Sequence, residues 1–277
     1  FVPRDSRFLY IIIFLILFLI YPLSNFYGEE NHGILAKIAG TIANYLLPFF
    51  LYLFLFVLLT DLLLMINFIF RILPREKIKE RTFRLKVFAL IVCLPVIIVI
   101  SGIFNFNSIR VSEYNIDVQK KSSDLDNLKI AFISDFHLQE NTPVRFVKRA
   151  VQKINKINPD LMLFGGDIVE GDREDENMKE FERILGSIKT RFGVYGVLGN
   201  HEHYSRQDKG SFFSRAGIKI LRDSAVIFSK SFILAGRNDS HISTRKDVNE
   251  LVSSLPDSLP VILMDHRPSE IRQISGT

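Results

Sequence analysis

Cysteine is nearly absent: the 277 residues carry only Cys93, inside an apolar run. That excludes an intramolecular disulfide framework and a cysteine-built metal cluster. Charge of one sign is also missing where a polyanion would need it. The formal net charge is +5 and the pI near 9.2, a balance that can signal a nucleic-acid partner. Residues 111 to 277, however, hold 24 Lys/Arg against 24 Asp/Glu, whereas residues 1 to 110 hold 11 against 6. The excess therefore belongs to the first part, and no nucleic-acid partner is expected.

Residues 1 to 110 read as apolar runs between short charged loops, and residues 111 to 277 show the mixed composition of a soluble fold. A boundary near Arg110 follows, with a membrane anchor before it and a separate domain over 111 to 277. Phe8 to Leu23 is uncharged and dense in Ile, Leu and Phe, with Tyr21 to Tyr27 suited to the interface. A secretory signal is the rival reading, but Ser24, Asn25, Phe26 and Tyr27 offer no small-residue cleavage site, and two more apolar runs follow. The second run, Ile42 to Thr60, continues past Asp61 into Leu62 to Phe70. The third, Val87 to Phe106, tolerates Pro95 as a kink. Three spans are expected, over about 8 to 26, 42 to 70 and 87 to 106. Asp61 is read as an interfacial residue near the end of a long, tilted second helix.

The loop from Arg71 to Lys86 contains Arg71, Arg75, Lys77, Lys79, Arg81, Arg84 and Lys86 against Glu76 and Glu80, which places it in the cytoplasm. The first loop, Ser24 to Thr41, carries Glu29, Glu30 and one Lys37, and Arg4 and Arg7 flank the first span. A multi-pass protein of the cell membrane with a cytoplasmic N-terminus is expected, which delivers residues 111 to 277 to the extracytoplasmic side.

In the second part, Lys129 to Ser134 (KIAFIS) is a short apolar run of strand length ending in Asp135, Phe136 and His137. Thr142 and Pro143 suggest an N-cap and first helical residue, and Val144, Val147, Val151 and Ile154 recur at helical spacing. Leu161 to Phe164 reads as a buried strand closed by Gly165, Gly166 and Asp167, and Met178, Phe181, Leu185 and Ile188 mark a second helix. Gly193 to Leu198 runs into Gly199, Asn200 and His201, and Val261 to Met264 runs into Asp265 and His266, so every one of these strands ends in potential ligands. Lys219 to Leu221, Ala225 to Phe228 and Ser231 to Ala235 look like short strands that add a meander to the sheet. The fold class is α/β, a layered sandwich after an α-helical membrane region, with the strand-end loops converging on one crevice.

Those loops carry chemistry. Asp135 and His137, two apart on a loop leaving a strand, can offer a carboxylate and an imidazole to one ion. By itself such a triplet is more often a solvated turn. Gly165 and Gly166 let the backbone of Asp167 approach closely, and a carboxylate can bridge two cations through its two oxygens. Asn200 adds an amide oxygen and His201 an imidazole. His266, alone, would be a structural histidine. As an ordered set, each member after a strand, they are poorly explained by chance.

With ISDFHL (Ile133 to Leu138), GGDIVEG (Gly165 to Gly171), GNHEHY (Gly199 to Tyr204) and ILMDHRP (Ile262 to Pro268) in place, the chain from about Asp117 onward resembles the calcineurin-like metallophosphoesterase family. It is most similar to a membrane-tethered bacterial branch, in which GNHE is followed by a tyrosine and later by Gly-x-x-Asp, here Gly236 to Asp239. The resemblance implies that Asp135 and His137 hold one metal, that Asp167 bridges two, and that Asn200 and His266 hold the second. It further implies that His201 stays off the metals as the acid for the leaving group, oriented by Glu170. The reaction so implied is phosphoric-ester hydrolysis by in-line attack of a hydroxide bound to a binuclear centre, with no covalent intermediate. Carboxylate, amide and imidazole donors without thiolate suit two divalent ions, Mn, Fe or Zn. The anchor suggests a phosphorylated small molecule, lipid-linked or from the cell wall, as substrate, with the lipid bilayer itself as a partner. A UDP-2,3-diacylglucosamine pyrophosphatase-like enzyme and a non-catalytic phosphate sensor on the same fold are the alternatives.

The sequence departs from the family pattern in three places. Glu170 stands where many relatives have Asp. His203, read as a solvated loop residue, stands where tyrosine is commoner. The last motif, Gly-His-x-His, does not occur before Thr277, and neither His241 nor His32 replaces it. That motif is expected to follow Thr277, and a piece lacking it is expected to bind metal weakly.

Overall fold

A computed structural model describes residues 7–28, 34–118, 125–139, 142–170, 176–204, 210–253 and 255–268. Arg4, Glu29, Glu30 and Gly171, used in the sequence reading, lie outside the described residues. The chain forms two compact units, Phe1–Arg110 and Val111–Thr277.

The first unit is helical. Helix α1 spans Arg7–Gly28, α2 Ile34–Phe70, α3 Arg75–Lys79 and α4 Arg81–Phe106. Two of these helices are long and apolar enough to cross a membrane: 31 residues over Gly40–Phe70 and 26 over Arg81–Phe106. A shorter apolar stretch occupies Arg7–Pro22 in α1. Helix α1 packs on α2, with Phe14 edge-on to Phe50 at 5.8 Å, and α2 packs on α4. The outward apolar side chains, Phe54, Phe68 and Phe104 among them, stay exposed, an arrangement that water disfavours and hydrocarbon accepts. Pro48 and Pro95 lie inside α2 and α4.

Helix α2 begins eight residues ahead of the expected Ile42 and α4 six ahead of Val87, because Ile34 and Arg81 start regular helix before the apolar density rises. Asp61 is on the exposed surface of α2, well inside the helix. Arg71 ends α2 in a left-handed conformation (φ 53°), and the Asn67 side chain closes the turn, accepting from the Leu73 N–H at 2.6 Å. The basic loop is thus an ordered turn containing the single-turn helix α3.

In the second unit the elements run β1 (Ile130–Ile133), α5 (Val144–Ile157), β2 (Leu161–Phe164), α6 (Glu176–Leu185), β3 (Val194–Gly196), α7 (Asn200–Tyr204), α8 (Gly210–Arg215), β4 (Lys219–Ile220), β5 (Ser224–Phe228), β6 (Phe232–Gly236), α9 (Val248–Val252) and β7 (Val261–Met264). Strands β1, β2, β3 and β4 form a parallel sheet in that order. Strands β5, β6 and β7 form a second sheet, β5 antiparallel and β7 parallel to β6.

The apolar spacing on α5 turns Val147, Ala150, Val151 and Ile154 inward, and α6 contributes Met178, Phe181, Ile184 and Leu185. These side chains cover one face of the parallel sheet together with Met162 and Phe164. The alternate residues Leu161, Leu163, Tyr195 and Val197 face Phe232, Leu234 and Met264 of the second sheet. The layered sandwich is therefore helix, sheet, sheet, as strand alternation requires when both faces of β2 and β3 are buried.

Three expectations are corrected. The meander does not extend one sheet: β4 completes the parallel sheet, while β5, β6 and β7 make their own, because Val261–Met264 pairs with β6 and not with β3. Thr142 does not cap α5. Its hydroxyl accepts from the Gln139 N–H at 2.9 Å, and Pro143 precedes the first helical residue. Ile188 lies past the end of α6, although it still packs on the core.

Candidate metal centre

Past the ends of β1 and β2 the two backbone segments stay paired. The Asp135 N–H donates to Gly166 O (3.0 Å), His137 N–H to Asp167 O (2.9 Å), Leu138 N–H to Ile168 O (2.8 Å) and Glu170 N–H to Leu138 O (3.0 Å). This lays Asp135 and His137 beside Asp167 and Glu170. Asp135, His137 and Asp167 all take positive φ, 54°, 45° and 51°. Non-glycine residues held there cost free energy and collect at functional sites.

Asp167 is the hub. It is 4% exposed, and its Oδ2 lies 3.3 Å from His266 Nε2 and 3.8 Å from His137 Nε2. Its Oδ1 accepts from the His201 N–H at 2.9 Å. Each histidine is tied at its other nitrogen: His266 Nδ1 is 2.8 Å from Gly165 O, and His137 Nδ1 is 3.1 Å from Glu170 Oε2. In the neutral rings those ties place the proton on Nδ1 and turn the bare Nε2 toward Asp167. His137 Nε2 is also 3.9 Å from Asp135 Oδ1. Acceptor atoms converging on acceptor atoms repel unless something positive lies among them, so the donor set fits divalent cations. The carboxylates of Asp135 and Asp167 and the His266 imidazole gather within 4.8 Å, and so do His137, Glu170 and His201.

Two glycines make the approach possible. A Cβ on Gly166 (φ 95°) would lie 2.6 Å from His266 Nδ1, and one on Gly199 would collide with the Asp167 carboxylate. Asn200 opens α7 directly after Gly199, whose backbone abuts the Asp167 carboxylate. His201 follows, with Nδ1 3.3 Å from Glu170 Oε1 and its ring 4.7 Å from that of His137. Glu170 therefore bridges the two histidines. Burial pushes its carboxyl pKa up, but hydrogen bonds from Gln139 and His137 and the neighbouring imidazoles outweigh this and leave it below the ordinary value.

The sequence reading missed Glu202. Buried in α7, its carboxylate accepts from the N–H groups of Asp167 (3.0 Å), Ile168 (2.5 Å), Val169 (3.0 Å) and Gly199 (2.8 Å). It ties the Asp167 loop to the turn carrying Asn200 and His201. A signal was present: a glutamate three residues after the residue preceding a helix is the reaching-back half of a capping box.

Asp265, expected among strand-end ligand candidates, is not turned to the centre. Its Oδ2 accepts from Arg237 Nη1 (3.0 Å) and Arg245 Nη2 (2.7 Å) and so anchors the loop that presents His266. His203 is not solvated as expected but half-buried, with Nε2 lacking a partner among the described residues, and burial lowers its pKa.

The profile of the family described as calcineurin-like phosphoesterase matches residues 128–277. A zebrafish transmembrane protein with metallophosphoesterase domain is 27% identical over 72% of this chain and 48% of its own length. An uncharacterized metallophosphoesterase of Aquifex aeolicus is 30% identical over 58% of the chain and 62% of its own. A UDP-2,3-diacylglucosamine pyrophosphatase of Chlamydia trachomatis is 36% identical over 35% of the chain and 29% of its own. The chain thus spans between 29% and 62% of the length of these relatives, in no case two thirds.

Proposed function

Because the chain belongs to the calcineurin-like phosphoesterase family, we propose that it is a membrane-anchored, metal-dependent hydrolase of phosphoric esters or anhydrides. The observation that carries the reading is the pair of histidines whose Nε2 atoms face one buried carboxylate, Asp167, while their Nδ1 atoms are tied to other oxygens. In this reading Asp135 and His137 hold one divalent ion, Asn200 and His266 the other, and Asp167 reaches both. Bound ions of this kind supply Lewis acidity, activating water and neutralising charge that develops on the phosphoryl oxygens. Manganese, iron and zinc all suit the donors.

The residues around the ions do the rest. Glu170 Oε1 lies 3.3 Å from His201 Nδ1, an ion-pair distance that orients the ring and leaves Nε2 for the oxygen departing from phosphorus. An imidazole is suited to deliver that proton near neutral pH. The same carboxylate orients His137, so its single side chain couples ligand and acid. Glu202 keeps the two turns in register from below.

The anchor supports a substrate near the bilayer, such as a lipid-linked or cell-wall phosphate or pyrophosphate. The Chlamydia relative, named for a lipid-bearing UDP sugar, lends that class support. We take α1 as a third span, with the basic loop around α3 on the cytoplasmic side and residues after Phe106 outside.

In the full-length protein loaded with manganese, hydrolysis of bis-p-nitrophenyl phosphate is expected, and His201→Ala should lower kcat about 10²- to 10⁴-fold, the usual contribution of a positioned acid. An unchanged rate removes His201 from the chemistry. No turnover with manganese, iron or zinc turns the reading into a phosphate-sensing module.

A further inference from the structure

Beside His201 lies a second polar cluster that draws on three loops and that none of the candidate ligands requires. Tyr204, the last residue of α7, is 61% exposed. It is nevertheless held in place. Its hydroxyl is 2.7 Å from His241 Nε2, and its ring meets those of His241 at 5.2 Å and His201 at 6.0 Å, both T-shaped. His241 Nδ1 is 3.0 Å from Asp239 Oδ1, which also accepts the His241 N–H at 2.9 Å. Asp239 is 0% exposed and takes Arg267 Nε at 2.8 Å and Arg267 Nη2. Arg267 directly follows His266, and its Nη2 also contacts His241 Nδ1.

His241 Nδ1 is held between the buried Asp239 carboxylate and the Arg267 guanidinium, which fixes the ring and turns Nε2 to the tyrosine hydroxyl. A surface tyrosine ordinarily samples several rotamers. This one is fixed at its hydroxyl by His241, Asp239 and Arg267, from the loops after β6 and β7. Neither imidazole is stacked parallel on the ring, so much of its surface is open, and it adjoins the histidine read as the proton donor. A rigid, exposed aromatic ring at that position is a preorganised contact for whatever departs from phosphorus.

We propose that Tyr204 determines leaving-group specificity: clamped by His241, Asp239 and Arg267, its ring packs against a ring-bearing leaving group next to His201. The inference rests on the phosphohydrolase reading. A flat or pyranose ring gains area against an aromatic face, whereas an open alkyl chain gains little.

Kinetics of the full-length, manganese-loaded protein separate the possibilities, with bis-p-nitrophenyl phosphate as the ring-bearing ester and glycerophosphocholine as the open-chain one. Tyr204→Ala should raise KM for the aryl ester about five- to tenfold at nearly constant kcat, the worth of one aromatic contact, and leave the open-chain ester unaffected. Tyr204→Phe, which keeps the ring and loses the clamp, should fall between wild type and Tyr204→Ala. Equal losses on both esters, no loss on either, or a Phe variant as impaired as the Ala variant would each overturn the proposal. If the unmodified protein hydrolyses neither ester, the phosphohydrolase reading itself fails and takes this one with it.

Discussion

Replacing Asp167 with asparagine is expected to abolish divalent-metal binding while leaving the fold in place. The amide oxygen can still accept from the His201 N–H, as Oδ1 does now at 2.9 Å. The new NH₂ group takes the position of Oδ2 and points a hydrogen at His266 Nε2, now 3.3 Å from a carboxylate oxygen, while His137 Nε2, at 3.8 Å, no longer faces a negative charge. The variant thus relieves the repulsion without an ion, and its metal-free thermal stability should match or exceed that of the parent. Manganese affinity, measured calorimetrically on the full-length protein, should drop at least about a hundredfold, since even outer contacts of metal ligands are worth 10- to 100-fold. Hydrolysis should fall to background with it. Retention of manganese affinity would show that Asp167 is not shared between the ions.

The second large effect is expected at Glu202. Four backbone N–H groups converge on its carboxylate in a buried setting, and N–H donors to a charged acceptor are among the stronger hydrogen bonds in proteins. Glu202→Gln keeps the shape but turns an NH₂ group against some of those donors and leaves them unpaired. A loss of about 3 kcal/mol follows, read as a fall of roughly 6 to 12 °C in the melting temperature of the second unit. Because Glu202 ties the Asp167 loop to the α7 turn, manganese affinity should decline as well, even well below the melting temperature. A variant that loses stability but binds manganese as before would assign Glu202 to the core alone. One that melts like the parent would show that the four hydrogen bonds are not formed together.

The candidate site was more legible in the sequence than the sheet order. Strand-end placement picked out Asp135, Asp167, His201 and His266 as candidates, because ligand chemistry and strand apolarity both leave local marks, and these groups lie near one another in the structure. Helix α5 was legible for the same reason, with Val147, Val151 and Ile154 at helical spacing. What escaped was decided by distant pairing. Strand β4 was read at Lys219 to Leu221, but its two residues are too few to mark which sheet they join, and the partnership of β7 with β6 follows from the burial of Phe232, Leu234 and Met264 against Leu161 and Leu163, not from any local preference. Asp265 and Glu202 were misjudged or overlooked because a carboxylate's role depends on what faces it. Arg237 and Arg245 claim the first from 28 and 20 residues away, and the Asp167 loop claims the second from 35. In the first unit composition marked the long helices, whereas their starts at Ile34 and Arg81 depend on backbone continuity that apolar density does not report.

Elemental analysis of the intact protein after manganese loading and exhaustive desalting tests the shared-carboxylate centre most directly. Two ions per chain are expected, both absent from Asp167→Asn. A stoichiometry of one or none, or two ions that survive that substitution, would contradict a binuclear site built on Asp167.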